Sequence, residues 1–253
     1  MSVIIVVYRF LAGTYAPERS RMEDFSYIKR NFDAVTAELR EISASRGRPA
    51  PTLCAVTKSG SDDELIALAA CGVTDIGENR PQELVRRAAL LHAAGYSPRL
   101  HEIGNLQKNK VRQVIPVASL IQSVGSLSLA AFISDKAEAA GITVPVLAEI
   151  NSGEEENKGG ILPREAEETV AAMAGLPGIR LCGLMTMGPA VGEGEIRPYF
   201  RLTREIFDTL GSRGVFETDA PTLSMGMSDS YRTAIEEGAT LVRIGRRLFS
   251  KEQ

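Results

Sequence analysis

The stretch 52-TLCAVTKSGSDDELIALAACG-72 reads as one strand, one short loop and one helix. Apolar and β-branched residues lead from Thr52 to Lys58, the composition of a strand buried on both faces. Ser61 then opens a helix: a serine with Glu64 three residues on is a capping box, and Gly72 follows as a C-terminal cap. Lys58 sits between strand and helix, where positive charge opposes the helix macrodipole. An ammonium placed there needs a reason other than helix stability.

The same unit recurs along the chain. Further strands are expected over 74-TDIGEN-79, 99-RLHEIGN-105, 119-SLIQSVG-125 and 144-VPVLAEIN-151, then 179-IRLCGLMTMG-188, 222-TLSMGMS-228 and 240-TLVRIGRRLF-249. Helical patterns lie between them at 61–72, 80–95, 127–141 and 164–176, and Gly72, Gly95, Gly141 and Gly238 stand where C-caps belong. Strands alternating with helices imply a parallel sheet. Eight strands in about 250 residues imply a (β/α)8 TIM barrel, with an open doubly wound sheet as the alternative. The sequence stops just past the eighth strand, with no helix expected after it. The helical segment 22–45 is expected to fill that gap in the outer ring. No linker divides the chain, so residues 22–253 read as one domain. Residues 1–21 read as an N-terminal extension, of the kind an upstream start codon would add.

Composition narrows the function. Hydrophobic residues make up 44% and charged residues 24% of 253, ordinary values for a globular protein. A net charge of −3 gives no basic balance to recruit nucleic acid. The three cysteines are odd in number and lack CxxC spacing, so reduced thiols in a cytoplasmic protein are expected. Two histidines make a histidine-based metal site improbable. The apolar run at 3–7 is too short to span a bilayer, and no basic segment precedes it as in a signal peptide.

The active face of such a barrel lies at the C-terminal ends of its strands. Those ends carry Lys58, Glu78 and Asn79, His101, Gly104 and Asn105, and Asn151. Later strands add Met185 and Thr186, Gly226, Met227 and Ser228, and Arg243, Gly245 and Arg246, while the strand bodies read as apolar. Lys58 is either an ammonium reaching solvent or pairing with Glu78, or a desolvated amine that condenses with an aldehyde. Ser228 is either the N-cap of the helix after it or part of an anion site. The loops after strands seven and eight are the usual phosphate site of these barrels, which favours the latter. His101 reads as hydrogen-bonded structure, 107-QKNK-110 as a solvated rim, and 154-EEE-156 as a charged loop without calcium-ligand spacing.

Taken in order, 55-AVTKSG-60, 76-IGENRPQEL-84, 101-HEIGNLQKNKV-111, 151-NSGEEENKGGI-161, 183-GLMTMGP-189, 223-LSMGMSD-229 and 242-VRIG-245 resemble the pyridoxal phosphate homeostasis proteins, the YggS-type family. The likeness runs from about Asn31 to Phe249. It implies that Lys58 holds pyridoxal 5′-phosphate as a Schiff base and that Asn79 lies beside the cofactor ring. It implies that Ser228 and the Gly245–Arg246 backbone bind the phosphate, with the amides around Gly226 and Met227 close by. Arg243 matches the arginine facing the pyridine nitrogen. A guanidinium surrenders no proton readily, so that ring would be a weak electron sink. Arg246 stands where the family usually has threonine or serine, and Glu102 where an aromatic residue usually follows the histidine. The implied function is non-catalytic: uptake, protection and release of the cofactor in vitamin B6 homeostasis, by a monomer that meets cofactor-dependent apo-enzymes transiently. An amino-acid racemase is the competing reading, because the barrel resembles the N-terminal domain of alanine racemase. Against it, alanine racemases bring an opposing tyrosine from a separate C-terminal domain, and this sequence ends a few residues past the last strand. A phosphate-sugar isomerase would use the anion site but leave Lys58 and Arg243 unexplained.

Overall fold

A computed structural model describes residues 25–251 except Glu193. Eight parallel strands close on themselves: β1 (Thr52–Val56), β2 (Asp75–Glu78), β3 (Arg99–Glu102), β4 (Leu120–Val124), β5 (Val144–Glu149), β6 (Ile179–Met185), β7 (Thr222–Ser224) and β8 (Leu241–Ile244). The closing seam runs from Thr52 opposite Leu241 to Ala55 opposite Ile244. That seam excludes the open sheet, which would leave two unpaired edges. The fold is therefore the expected (β/α)8 barrel.

Around the strands lie α1 (Ser26–Ala44), α2 (Asp62–Ala70), α3 (Pro81–Ala93), α4 (Val111–Val114) and α5 (Leu127–Ala139). The ring continues through α6 (Pro163–Ala174), α7 (Arg197–Ser212), α8 (Tyr231–Glu236) and α9 (Arg246–Phe249). The capping box forms as read: Ser61 accepts from the Glu64 amide and Glu64 accepts from the Ser61 amide. Gly72, Gly95, Gly141 and Gly238 have φ of 86°, 84°, 66° and 97°, the left-handed conformation that ends a helix. The main core fills the layer between strands and helices, with Ile76 and Ile121 meeting residues such as Leu65, Leu84 and Ile133.

Two expectations change. A short helix, α9, does follow β8, because Gly245 ends the strand and 246-RRLF-249 turns once before the chain leaves. The N-terminal helix nevertheless docks there as expected: the buried Asn31 amide donates to the carbonyls of Leu248 and Ser250 at 3.2 and 2.8 Å. Residues 1–21, read as an extension, lie outside the described residues, and α1 begins at Ser26. The strand bodies are also not apolar throughout. Asp75, His101, Gln122, Ser224 and Arg243 are all buried. The bond from Ser224 on β7 to Gln122 on β4 joins strands that are not sheet neighbours, so it crosses the barrel interior. Single polar residues in a β-branched run leave the apolar pattern intact, which hides them from a periodicity reading. Among the described residues no helix is long and apolar enough to cross a membrane, and no cluster of histidine, cysteine or acidic groups has the makings of a metal site.

Candidate functional site

The C-terminal rim is built where β1, β7 and β8 meet. β1 stops at Val56, and a turn closed by the Gly60 amide on the Thr57 carbonyl (2.9 Å) presents Lys58. The Lys58 side chain is exposed and makes no hydrogen bond or ion pair among the described residues. It is therefore neither the desolvated amine nor the partner of Glu78 that the sequence allowed. Glu78 belongs to Arg87 of α3, at 2.6 Å, and to the Thr57 hydroxyl.

Arg87, which sequence reasoning missed, organises this loop. Its guanidinium donates to the carbonyls of Thr57 and Gly60 as well as to Glu78, with both charged side chains buried. The signal was present in the sequence. Leu84, Ala88 and Leu91 form the buried stripe of α3, and Arg87 falls on it.

Ser228 is not a helix cap. The helix after β7 begins at Tyr231, and the Ser228 hydroxyl instead accepts from the Gly245 amide of the β8 loop at 3.4 Å. That contact joins the two loops expected to hold an anion. Gly245 is needed there, because a side chain would put its Cβ 2.7 Å from the Val56 carbonyl. Gly226 has φ of 91°, and a Cβ would strike Ala234 at 2.4 Å. The Met227 amide is taken by the Ser230 hydroxyl at 3.1 Å, so it is not a free donor as the sequence reading supposed. Arg246 points to Asp229 and forms an exposed ion pair with it. Asn79 is exposed just past β2, and its carbonyl lies against Gly104, where a Cβ would come within 2.1 Å.

Arg243 lies below this rim, 3% exposed. It donates to the Ser224 hydroxyl and, at 2.9 Å, to the Thr186 carbonyl. Burial lowers its pKa to about 10, so it remains a cation at neutral pH. His101, read as structural, sits inside the barrel between Gln122 and Asp75, at 2.7 and 3.0 Å. Burial works against the Asp75 carboxylate, but hydrogen bonds from His101, Arg99 and Thr74 hold its pKa down to about 2.

The other half of the mouth holds a cavity of about 400 Å3 over the ends of β3 to β6, lined by Ser123, Glu149, Asn151, Lys158 and Met187 among others. None of the residues expected to bind a cofactor lines it. Lys58, Ser228 and Gly245 stand in the β1–β7–β8 half of the mouth, away from this cavity.

The closed eight-stranded barrel places the chain in a defined class of proteins. The family model described as alanine racemase, N-terminal domain, matches residues 31–252. A pyridoxal phosphate homeostasis protein of Aquifex aeolicus is 37% identical over 83% of this chain and 91% of its own length. A crystal structure of an unknown protein from Bifidobacterium adolescentis is 37% identical, with a TM-score of 0.83, over 90% of this chain and 98% of that one. The structure of PipY from Synechococcus elongatus with PLP bound is 26% identical, with a TM-score of 0.76, over 88% of this chain and all (100%) of that one. The chain belongs to the alanine racemase N-terminal-domain family and, within it, to the pyridoxal phosphate homeostasis proteins.

Proposed function

We propose that this chain is a non-catalytic carrier of pyridoxal 5′-phosphate that serves vitamin B6 homeostasis. Lys58 is the attachment point, and Asn79, Gly226, Met227, Ser228, Arg243, Gly245 and Arg246 form the surrounding site. One observation carries the reading: an exposed primary amine without a hydrogen-bond or ion-pair partner among the described residues stands beside two loops joined through Ser228 and Gly245, above a buried arginine.

The residues present fit such a group. The glycine at 245 lets the β8 loop pass close to the Val56 carbonyl, the Ser228 hydroxyl accepts from the Gly245 amide and keeps its own proton to donate to a phosphate, and Arg243 is a donor-only cation. Bound there, the cofactor supplies an aldehyde that condenses reversibly with a primary amine. Lys58 would supply that amine, the two loops would hold the phosphate, and Arg243, already donating to Ser224 and Thr186, would offer a remaining proton to the ring. Arg246, tied to Asp229, contributes charge near the loops rather than a direct contact.

The three cysteines are free thiols, which supports a cytoplasmic carrier. Its partners in this reading are apo-enzymes that accept the cofactor transiently, and it acts as a monomer. The test is the absorption spectrum of the purified protein, followed by borohydride reduction and peptide mapping. The cofactor mass is expected on the peptide containing Lys58. Label confined to another lysine, or no uptake of the cofactor, overturns the proposal.

A further inference from the structure

The barrel interior contains an unbroken line of polar side chains, of which the site described above uses only Arg243. Arg243 donates to the Ser224 hydroxyl, and that hydroxyl donates to Gln122 Oε1 at 2.6 Å. Gln122 Nε2 meets His101 Nδ1 at 2.7 Å, and His101 Nε2 meets Asp75 at 3.0 Å. All five residues are buried, and they come from β8, β7, β4, β3 and β2 in turn. Such interiors are ordinarily filled by bulky aliphatic side chains.

The two ends dictate the direction of every bond between them. A guanidinium is only a donor and an ionised carboxylate only an acceptor. Asp75 also accepts from Thr74 at 2.6 Å and Arg99 at 2.8 Å, so it stays ionised. His101 Nε2 must then carry a proton toward Asp75. The Ser224 oxygen accepts from Arg243, so its proton goes to Gln122 Oε1. Gln122 is left with its amide protons facing His101, and Nδ1 must accept. Only the neutral Nε2–H tautomer of His101 satisfies the whole line.

A second feature shows what the line is for. Arg243 has no carboxylate within ion-pair distance among the described residues, although it is buried. Glu149 is the carboxyl whose charge bears on it, while burial pushes the nearby Cys54 thiol up and keeps it neutral. A purely structural buried arginine is expected to be paired directly, as Arg87 is with Glu78. Arg243 instead reaches the negative charge of Asp75 through three intervening side chains. The guanidinium is thereby held in place without being neutralised.

We infer that Ser224, Gln122 and His101 are positioning residues: a one-way hydrogen-bond relay anchored on Asp75 that fixes the Arg243 guanidinium toward the cofactor ring. The cofactor part of this inference rests on the carrier reading, whereas the relay itself is a property of the protein without cofactor. Neither the exposed amine nor the phosphate loops take part in it.

Imidazole nitrogen NMR of the apo-protein tests the relay directly. The chain has 2 histidines, His92 and His101, so a His92→Gln variant leaves one ring to observe. A single neutral Nε2–H tautomer is expected for His101. In Ser224→Ala the Gln122 amide loses its fixed orientation, and a mixture of His101 tautomers is expected. Ser224→Thr keeps the hydroxyl and is expected to restore the single tautomer. With cofactor, Ser224→Ala is expected to release it roughly ten-fold faster, the size expected when a charged hydrogen bond is weakened, and Ser224→Thr to restore retention. A wild-type Nδ1–H tautomer or imidazolium, or an unchanged His101 signal in Ser224→Ala, overturns the relay. If the single tautomer is found but no cofactor is ever bound, the carrier reading falls and the relay survives as a device that holds a buried arginine.

Discussion

Lys58 shows how much one residue type at one position can reveal. Its place after a buried-looking strand and before a capped helix was visible in the sequence, because strand and helix signals bracket it. Its environment was not, because exposure depends on where the loop turns. The turn at 57–60 leaves the amine in solvent, and Arg87 takes the carboxylate that would have paired with it. Lys58→Ala should therefore abolish the visible absorption of bound cofactor while leaving thermal unfolding almost unchanged, as expected for an exposed side chain. Ser228 makes a sharper case. Its hydroxyl meets a backbone amide rather than capping a helix. Charged hydrogen bonds contribute roughly 1.5–3 kcal/mol, so Ser228→Ala should weaken cofactor binding about ten-fold or more in an equilibrium titration. Equal affinity in the two proteins would restrict Ser228 to joining the loops. Arg246→Ala should have a smaller effect, because its charge is already shared with Asp229 in solvent and exposed ion pairs contribute little.

At the scale of elements, the sequence located every strand but ran each of them past its C-terminal end. The expected strand over 179–188 ends at Met185, and the one over 240–249 ends at Ile244. Apolar and β-branched residues continue into the rim loops, and nothing in their order shows where ladder bonding stops. What ends the strands is tertiary. The Arg87 staple between α3 and the loop after β1 is one such constraint, and breaking it should be costly. Removing one partner of a buried ion pair costs about 3–5 kcal/mol, so Arg87→Ala should lower unfolding stability in urea by that amount. A second buried carboxyl lies beside it. Glu102 of β3 pairs in register with Glu78, accepts from the Gly104 amide at 3.0 Å, and leaves its other oxygen without a partner among the described residues. Burial, with Glu78 adding to it, pushes its pKa up to about 7 against the Gly104 bond. The folded pKa lies above the unfolded value, so the folded state favours the protonated form. Its stability is fully present below the unfolded pKa and is lost as pH rises through about 7. The difference in unfolding free energy between wild type and Glu102→Gln should therefore change by up to about 3 kcal/mol between acidic and mildly alkaline pH, with the variant gaining as pH rises. A flat difference would place Glu102 in contact with water.

For the whole molecule, closure was legible because eight repeats of one unit in this length leave few alternatives to a barrel. The polar interior was not, because its residues come from five strands and only closure brings them together. That interior also bears on what the barrel does with a bound cofactor. Racemising an amino acid requires proton removal from one face of Cα and return to the other, so two positioned acid–base groups are needed. Lys58, once released by an incoming amine, can serve one face. His101 and Tyr231 are possible groups for the other, and the structure engages both elsewhere. His101 is buried with one ring nitrogen on Gln122 and the other on Asp75. The Tyr231 hydroxyl, also in a buried residue, bonds Arg247. Glu149 is the remaining acid lining the mouth cavity, and burial raises its pKa against the opposing pull of Arg243. In the proposed carrier site Arg243 would be a further handicap, because a donor that keeps its proton would leave a ring facing it a weak electron sink. The expected outcome is that holo-protein incubated with L-alanine in deuterated water forms no D-enantiomer beyond a stoichiometric trace, with at most slow Cα exchange. Sustained turnover that vanishes in Lys58→Ala would make the protein a racemase. If it also vanished in Glu149→Gln while cofactor binding persisted, Glu149 would be the second base.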